Sequence, residues 1–445
     1  MASVLLQRLG GGDRYLVKVS VVYGHPEVRV AGGSYSHVVN LATSIAQVLK
    51  EKGVDYEVDL VFAGRVFVEK PKFDSSLNIK VIEADMYNPL YYNLKNLNAT
   101  IQRLTRGLFS YFPPLVLSRD GVRRLREALK LSSLIISRPP ATTSLSLAYW
   151  LALRLSSPRD AILVDENFNE NLWGLIELGV DAFPSKIKAI AAQASQVWLT
   201  RILSCLLHDF VFTISEGGAE VILEEVPWPL KKLCKGKMIA LYPPLYSKTK
   251  YPSSKEGGPF TFCTSGSFYP HQGWKELAKL IYAMNEAFDM HDKIKFKIFG
   301  APINLYRFFK NLVGAFSNVE FDYITVKEEL YKAYARECDA FLALYDPFRA
   351  YKFYGAPAKL ADYVLFNKPI IIWNNEEYLK TLEALTKKCD CAIVVNNFEE
   401  LLEVALKLVK AGPGECECEL RERTRSEEAI EEIIESVLSR RRKLG

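Results

Sequence analysis

Between Tyr354 and Pro369 the chain gathers residue types that can hold an anionic group. Gly355 permits a close backbone approach, and Pro357 suits the first turn of a helix. The free amides from Gly355 through Ala356 to Ala358, with the positive helix end behind them, would favour a phosphate. Lys359 and Asp362 stand three residues apart, hence on one helix face, so a cation and a hydrogen-bond acceptor point the same way. A capped helix with an internal Lys359–Asp362 salt bridge is the plainer alternative for this segment alone. A second set lies nearer the start of the chain. Asp165 and Glu166 close an apolar run, which places carboxylates at a strand end. Arg138 follows the run Leu134 to Ser137 and suits a phosphate on a substrate. His37 is a candidate general base, although a histidine on an apolar helix is more often a satisfied core residue.

The elements that must position these groups alternate between strand and helix. Tyr15 to Tyr23 reads as a buried strand, followed by the loop Gly24 to Gly33. A helix then carries Val38, Leu41, Ala42, Ile45 and Leu49 at helical spacing and ends at Gly53. Strands follow at Val58 to Phe62, Ile79 to Ile82, Leu131 to Ser137, Ala161 to Val164, Phe210 to Ile214 and Lys237 to Tyr242. Leu199 to His208 is expected to be helical, and Tyr242 to Pro259 reads as an exposed linker of proline, serine, lysine and glycine. A second series begins with the strand Phe260 to Thr264 and runs to the helix Phe398 to Lys410. Such alternation implies parallel sheets with right-handed crossovers. The expected fold is therefore α/β, with two Rossmann-like domains facing across a cleft at their strand carboxyl ends. The boundaries fall at 1–247 and 248–425, with a charged amphipathic helix at 426–445 that packs back on the first domain.

Size and composition agree with two domains: 445 residues exceed what one core usually organises, and 49% hydrophobic with 24% charged residues is ordinary for a globular chain. The net charge of +5 excludes a strongly basic nucleic-acid protein and an acidic one. Met1 to Asp13 has no long apolar run, and Arg201, His208 and Asp209 interrupt the apolar stretch Ile187 to Ile214, so neither reads as a secretory signal or a membrane span. The cytoplasm is the expected compartment. One stretch raises a peripheral contact with the inner face of the membrane, because Arg103 to Lys130 mixes seven cations with Phe109, Tyr111 and Phe112. A solvated helix face beside core residues is the favoured reading of that stretch. The 8 cysteines do not form a disulfide-scaffold pattern, and Cys389 with Cys391, and Cys416 with Cys418, lack the two-residue gap of a zinc knuckle. Scattered thiols are expected, with a bond from these pairs left open and no metal implied.

The order Cys338-Asp339, Pro357, Lys359, Asp362-Tyr363 and Lys368-Pro369 resembles the donor-site region of family-four glycosyltransferases and their relatives with the GT-B fold. Further patches fit the resemblance: Gly32 and Gly33 followed by Asn40, Gly266 to Gly273, Phe299-Gly300, and Val319 to Tyr334. It implies transfer of a sugar from a nucleoside-diphosphate sugar to a glycan, lipid-linked or small-molecule acceptor, with retention and without a cofactor or metal. In that case Asp362 would accept ribose hydroxyls, Gly300 would let the nucleotide approach, and backbone near Tyr323 to Val326 would read the base. Gly32 and Gly33 would meet the diphosphate, while His37 and Arg138 would lie on the acceptor side. Asp165 and Glu166 are the candidates for proton transfer.

Departures from the family are equally informative. Ser267 and Gln272 stand where an arginine and a lysine usually neutralise the leaving diphosphate, Tyr354 replaces the first glutamate of a pair, and Asp362 replaces the second. A buried diphosphate without counter-charge is costly, which makes Lys359 the expected replacement. Alternatives are a nucleotide-sugar epimerase or phosphorylase of the same architecture, or a non-catalytic binder of nucleotide sugar or glycan. A dinucleotide oxidoreductase is disfavoured because the first loop lacks the G-x-G-x-x-G spacing.

Overall fold

A computed structural model describes residues 16–28, 33–88, 117–139, 146–166, 202–252, 255, 257–266, 273–286, 293–300, 304–324, 326–345 and 358–444. The chain forms two parallel sheets. In the first, β1 (Val17–Tyr23), β3 (Tyr56–Phe62), β5 (Ile79–Glu83), β6 (Leu134–Arg138), β7 (Ile162–Glu166), β8 (Phe210–Thr213) and β9 (Met238–Ala240) lie in the order β5-β3-β1-β6-β7-β8-β9. All its pairings are parallel. Near-continuous apolar runs such as Val17–Tyr23 form these strands because both sheet faces are covered. On one face lie α1 (Gly33–Glu51) and the last helix, α12 (Arg425–Leu444). Val38, Leu41, Ile45 and Leu49 of α1 share a core with Ile430, Ile433, Ile434 and Val437 of α12. The opposite face carries α2 (Arg119–Leu129), α3 (Ser146–Ser156), a helical turn at 202–207, α4 (Glu216–Glu225) and α5 (Trp228–Lys235). A short parallel pair, β2 (Glu27–Val28) with β4 (Arg65–Val66), adjoins the sheet.

The second sheet has the order β12-β11-β10-β13-β14-β16. Its strands are β10 (Phe260–Gly266), β11 (Ile294–Gly300), β12 (Val319–Asp322), β13 (Ala340–Ala343), β14 (Ile370–Trp373) and β16 (Ala392–Val395), again all parallel. The helices are α6 (Trp274–Glu286), α7 (Asn304–Val313), α8 (Lys327–Glu337), α9 (Ala358–Tyr363), α10 (Glu376–Leu385) and α11 (Phe398–Ala411). Asn375 and Asn397 cap α10 and α11 through side chains that accept from Glu377 N and Glu400 N. Lys368 does the converse for α8: buried, its ammonium donates to the carbonyls of Tyr334, Ala335 and Cys338 at the helix's last turn.

Two expectations change. Tyr242 to Pro259 is not an exposed linker throughout. Tyr242 and Leu245 are buried, Asn40 and Ser44 of α1 donate to the carbonyls of Pro244 and Leu245, and the Tyr251 ring stacks on Phe366. Aromatic and leucine side chains within the polar segment draw it onto both domains. The cysteines are not scattered thiols either, because Cys263 is bonded to Cys338, Cys389 to Cys418, and Cys391 to Cys416. Antiparallel pairing of β15 (Thr386–Cys389) with β17 (Cys418–Leu420) sets Cys389 opposite Cys418, so each cysteine of a close pair bonds across rather than within. Cys205 and Cys234 stay free and buried in the first domain.

Candidate functional site

Parallel strands end together, and in the second domain two glycines end side by side: Gly266 of β10 pairs in register with Gly300 of β11. Without side chains they leave the sheet's edge open to a bulky ligand. Gly273 has φ +72, and a Cβ there would lie 1.2 Å from the carbonyl oxygen of Leu344, so the chain entering α6 touches the end of β13 where no side chain fits. Tyr363 of α9 accepts or donates at Ser265, with its hydroxyl 3.0 Å from the Ser265 amide, and stacks on Phe341 of β13 at 4.3 Å. These contacts pin α9 against the ends of β10 and β13.

Lys359, on the first turn of α9, is only 6% exposed. Its ammonium lies 4.6 Å from the centre of the Tyr345 ring, and among the described residues no ion pair involves it. Burial pulls its pKa down from the ordinary 10.5 to about 7. Asp362 does not pair with Lys359, as the plainer sequence alternative has it. Its carboxylate is instead taken by Lys327 at 2.7 Å and by the hydroxyl of Tyr331 at 2.6 Å, both from α8. It is 8% exposed, so an unencumbered acceptor for ribose hydroxyls is not what the fold presents. The backbone geometry explains the change: Asp362 faces α8, whereas Lys359 faces Tyr345 at the end of β13.

Lys327 also lines a small cavity of about 40 Å³ between the domains, together with Tyr35, Ser36 and Asn40 of α1, Lys72 and Tyr246. Tyr246 bridges the two sides, donating to the carbonyl of Lys72 and to Glu328. Tyr323 follows β12 and is 43% exposed. Ser267, Tyr354, Gly355, Ala356, Pro357 and Gly32 lie outside the described residues, and Gly33 is the first residue of α1.

In the first domain the structure brings His37, Arg138 and Glu166 together and sends Asp165 elsewhere. Successive residues of a strand face opposite sides. Glu166 therefore points to the α1 side, where Arg138 donates to its Oε1 and His37 Nε2 stands 2.7 Å from the same oxygen, without hydrogen-bond alignment. Burial alone would raise the pKa of Glu166, but Arg138 and then His37 outweigh it and hold the carboxyl below its ordinary value. The other oxygen, Oε2, is buried and has no hydrogen-bond partner among the described residues. The three side chains line a small cavity with Phe212, Thr213, Ile214 and Leu241.

Asp165 points to the α3 side instead. It accepts from Trp150 Nε1 at 3.2 Å, from Ser137 Oγ at 3.3 Å and from Ser204 Oγ, and burial raises its pKa. Strand alternation commits it to the layer between sheet and helix, away from His37, Arg138 and Glu166. Lys327, Tyr331 and Tyr246 are site residues that residue-type reasoning did not single out. The only sequence signal for Lys327 and Tyr331 is a position in the helix that follows β12, and Tyr246 lies in the segment read as a linker.

No family model and no curated protein matches the chain. Solved structures do resemble it. The glycosyltransferase WaaG, involved in lipopolysaccharide biosynthesis, is 12% identical, with 92% of this chain and 93% of that chain covered and a TM-score of 0.50. A UDP-GlcNAc 2-epimerase from Neisseria meningitidis bound to UDP-GlcNAc is 12% identical over 95% of this chain and 100% of that one, with a TM-score of 0.48. A UDP-forming α,α-trehalose-phosphate synthase from Burkholderia vietnamiensis is 13% identical over 95% and 96%, with a TM-score of 0.48. With its two parallel sheets, each flanked by helices, and this likeness to WaaG along nearly its whole length, the chain has the GT-B fold of two Rossmann-like domains.

Proposed function

We propose that the protein is a nucleotide-sugar-dependent glycosyltransferase whose donor lies at the carboxyl ends of β10, β11 and β13. The observation that carries this reading is Lys359, a buried lysine with no carboxylate partner among the described residues, on a helix that Tyr363 ties to Ser265, the residue before Gly266. A buried cation is costly unless an anion answers it, and a diphosphate is such an anion. In this reading Lys359 neutralises the leaving diphosphate as the bond from the anomeric carbon to the phosphate oxygen breaks. Asp362 holds Lys327 at the interdomain cavity, with Tyr331, and shares its carboxylate with the ribose rather than offering it alone.

The acceptor hydroxyl, on a glycan, lipid-linked or small-molecule acceptor, would enter from the first domain near His37, Arg138 and Glu166. It forms the new glycosidic bond and gives up its proton there. Transfer with retention follows from the family resemblance alone. The test is to incubate the protein with candidate nucleotide sugars and acceptors and to follow nucleoside diphosphate release, with proton NMR of the product's anomeric centre. Release that appears only with an acceptor supports transfer.

One observation favours a second reading. The His37–Glu166 contact is a buried acid–base pair facing a cavity, which would also suit proton exchange at a sugar carbon in an epimerase. Conversion of the nucleotide sugar to its epimer without any acceptor, with the diphosphate intact, would select that reading.

A further inference from the structure

Six carboxylates are buried among the described residues, and five of them are answered. Lys18 pairs with Asp59, Arg138 with Glu166, Lys327 with Asp362 and Lys248 with Glu427, while Trp150 and two serines donate to Asp165. The sixth, Glu377, is 0% exposed, and neither of its carboxylate oxygens has a hydrogen-bond partner among the described residues. A buried carboxylate without a partner is costly, so its surroundings favour the neutral acid.

Glu377 stands where the two domains meet. It belongs to the first turn of α10 in the second domain and faces the Ser215 hydroxyl of the first, without hydrogen-bond alignment. That hydroxyl is already engaged in capping α4, accepting from Gly218 N at 3.0 Å. Tyr242, 1% exposed and without a hydrogen-bond partner for its hydroxyl among the described residues, packs with Ala384 of α10 against Ile214 and Ala240. The nearby cations are held by other acids. Arg425 of α12 pairs with Glu216 at 3.4 Å and lies over the Tyr242 ring at 5.9 Å, and Lys380 pairs with Glu376 at 2.8 Å. Burial holds the Glu377 carboxyl above its ordinary 4.5, outweighing the Ser215 hydroxyl and Lys380, with Glu376 and Glu216 adding to the shift.

We infer that this contact is a proton-operated latch between the domains: Glu377 seats against Ser215 and Tyr242 as a neutral carboxylic acid, and loss of its proton moves α10 off the first domain. Once the contact parts, water reaches the carboxyl and it returns to near its ordinary 4.5, whereas the seated carboxyl titrates higher. Between those two values the seated state holds more protons, so rising pH weakens the contact; below both values the group is neutral in either state and the contact is at its strongest. Ile214 lies in this contact and also lines the cavity of His37, Arg138 and Glu166. Parting the latch therefore opens the first-domain site to solvent.

The latch does not depend on the sugar-transfer reading and is tested apart from it. Small-angle X-ray scattering of the full-length protein is followed from about pH 5 to about pH 8, with circular dichroism alongside. The parent's radius of gyration should rise by ~1 Å or more over the ~22 Å of a compact chain of this length, with helix content unchanged. Glu377→Gln and Glu377→Leu, neutral at every pH, should each keep the compact value throughout, whereas Glu383→Gln, an exposed position on the same helix, should follow the parent. The two Glu377 variants differ in shape and polarity, so if one fails to fold the other decides. A parent whose radius does not change with pH, a folded Glu377 variant that expands as the parent does, or expansion that comes only with loss of helix would each overturn the inference.

Discussion

Replacing Lys359 by methionine removes the ammonium while keeping an unbranched chain of similar length. Burial lowers the lysine from 10.5 to about 7. At about 1.4 kcal/mol per tenfold change in acidity, that interval corresponds to about 5 kcal/mol of lost stability in the unliganded protein. The sign follows from proton counts. Between pH 7 and 10.5 the unfolded chain keeps a proton that the folded chain has released, so this group makes stability rise with pH across that window. Below pH 7 both states carry the charge and the full cost remains. Lys359→Met should therefore be more stable than the parent at pH 7, by roughly 3–5 kcal/mol, with the gap closing towards pH 10. Urea unfolding followed by tryptophan fluorescence at pH 7, 8.5 and 10 measures it. A variant no more stable than the parent at pH 7, or a gap independent of pH, would refute the idea of an unanswered buried cation.

Three further outcomes follow from the geometry. Glu166→Gln removes the carboxylate that the buried Arg138 guanidinium donates to and should cost about 3–5 kcal/mol near pH 7. Because the folded carboxyl lies below its ordinary value of 4.5, that advantage of the parent should vanish as pH falls from about 4.5 through the lower folded value, which urea midpoints taken at a series of acidic pH values will show. Asp165→Asn faces α3, so nucleotide-sugar turnover should stay within about twofold of the parent, or ~0.4 kcal/mol in the barrier; a loss of a hundredfold would return Asp165 to the cleft. Changing both Cys263 and Cys338 to alanine opens a link between residues 75 apart and should lower the stability of the second domain by about 4 kcal/mol. Domain-resolved hydrogen exchange should detect that loss and leave the first domain unchanged.

The fold was legible because both sheets are parallel and doubly covered, which writes each strand as an apolar run between helical patterns. Val58 to Phe62, Phe210 to Ile214 and Phe260 to Thr264 fall on observed strands within a few residues. Of the helices that went unread, α4 has weak periodicity, whereas α5 and α7 are amphipathic but only 8 and 10 residues long. The disulfide ladder was hidden for a different reason. Its cue is the matched one-residue gaps in Cys389/Cys391 and Cys416/Cys418, which share one antiparallel register only once β15 and β17 are known to pair.

Within the site, residue types pointed to Lys359, Glu166, His37 and Arg138, but not to their partners. Spacing along α9 allowed a Lys359–Asp362 pair as the plainer alternative, and tertiary contact set it aside, because Lys327 and Tyr331 of another helix reach Asp362 first. Likewise, adjacency in sequence made Asp165 and Glu166 look equivalent, whereas strand alternation sends them to opposite faces.

The most direct test of the donor site is calorimetric titration of nucleoside diphosphates into the protein at pH 8, in two buffers of different ionisation enthalpy. An anion set against Lys359 raises its pKa, so binding should take up close to one proton and should weaken by at least ~100-fold in Lys359→Met, or ~2.7 kcal/mol. Failure of every nucleoside diphosphate to bind, or binding without proton uptake and unchanged in Lys359→Met, would contradict the account.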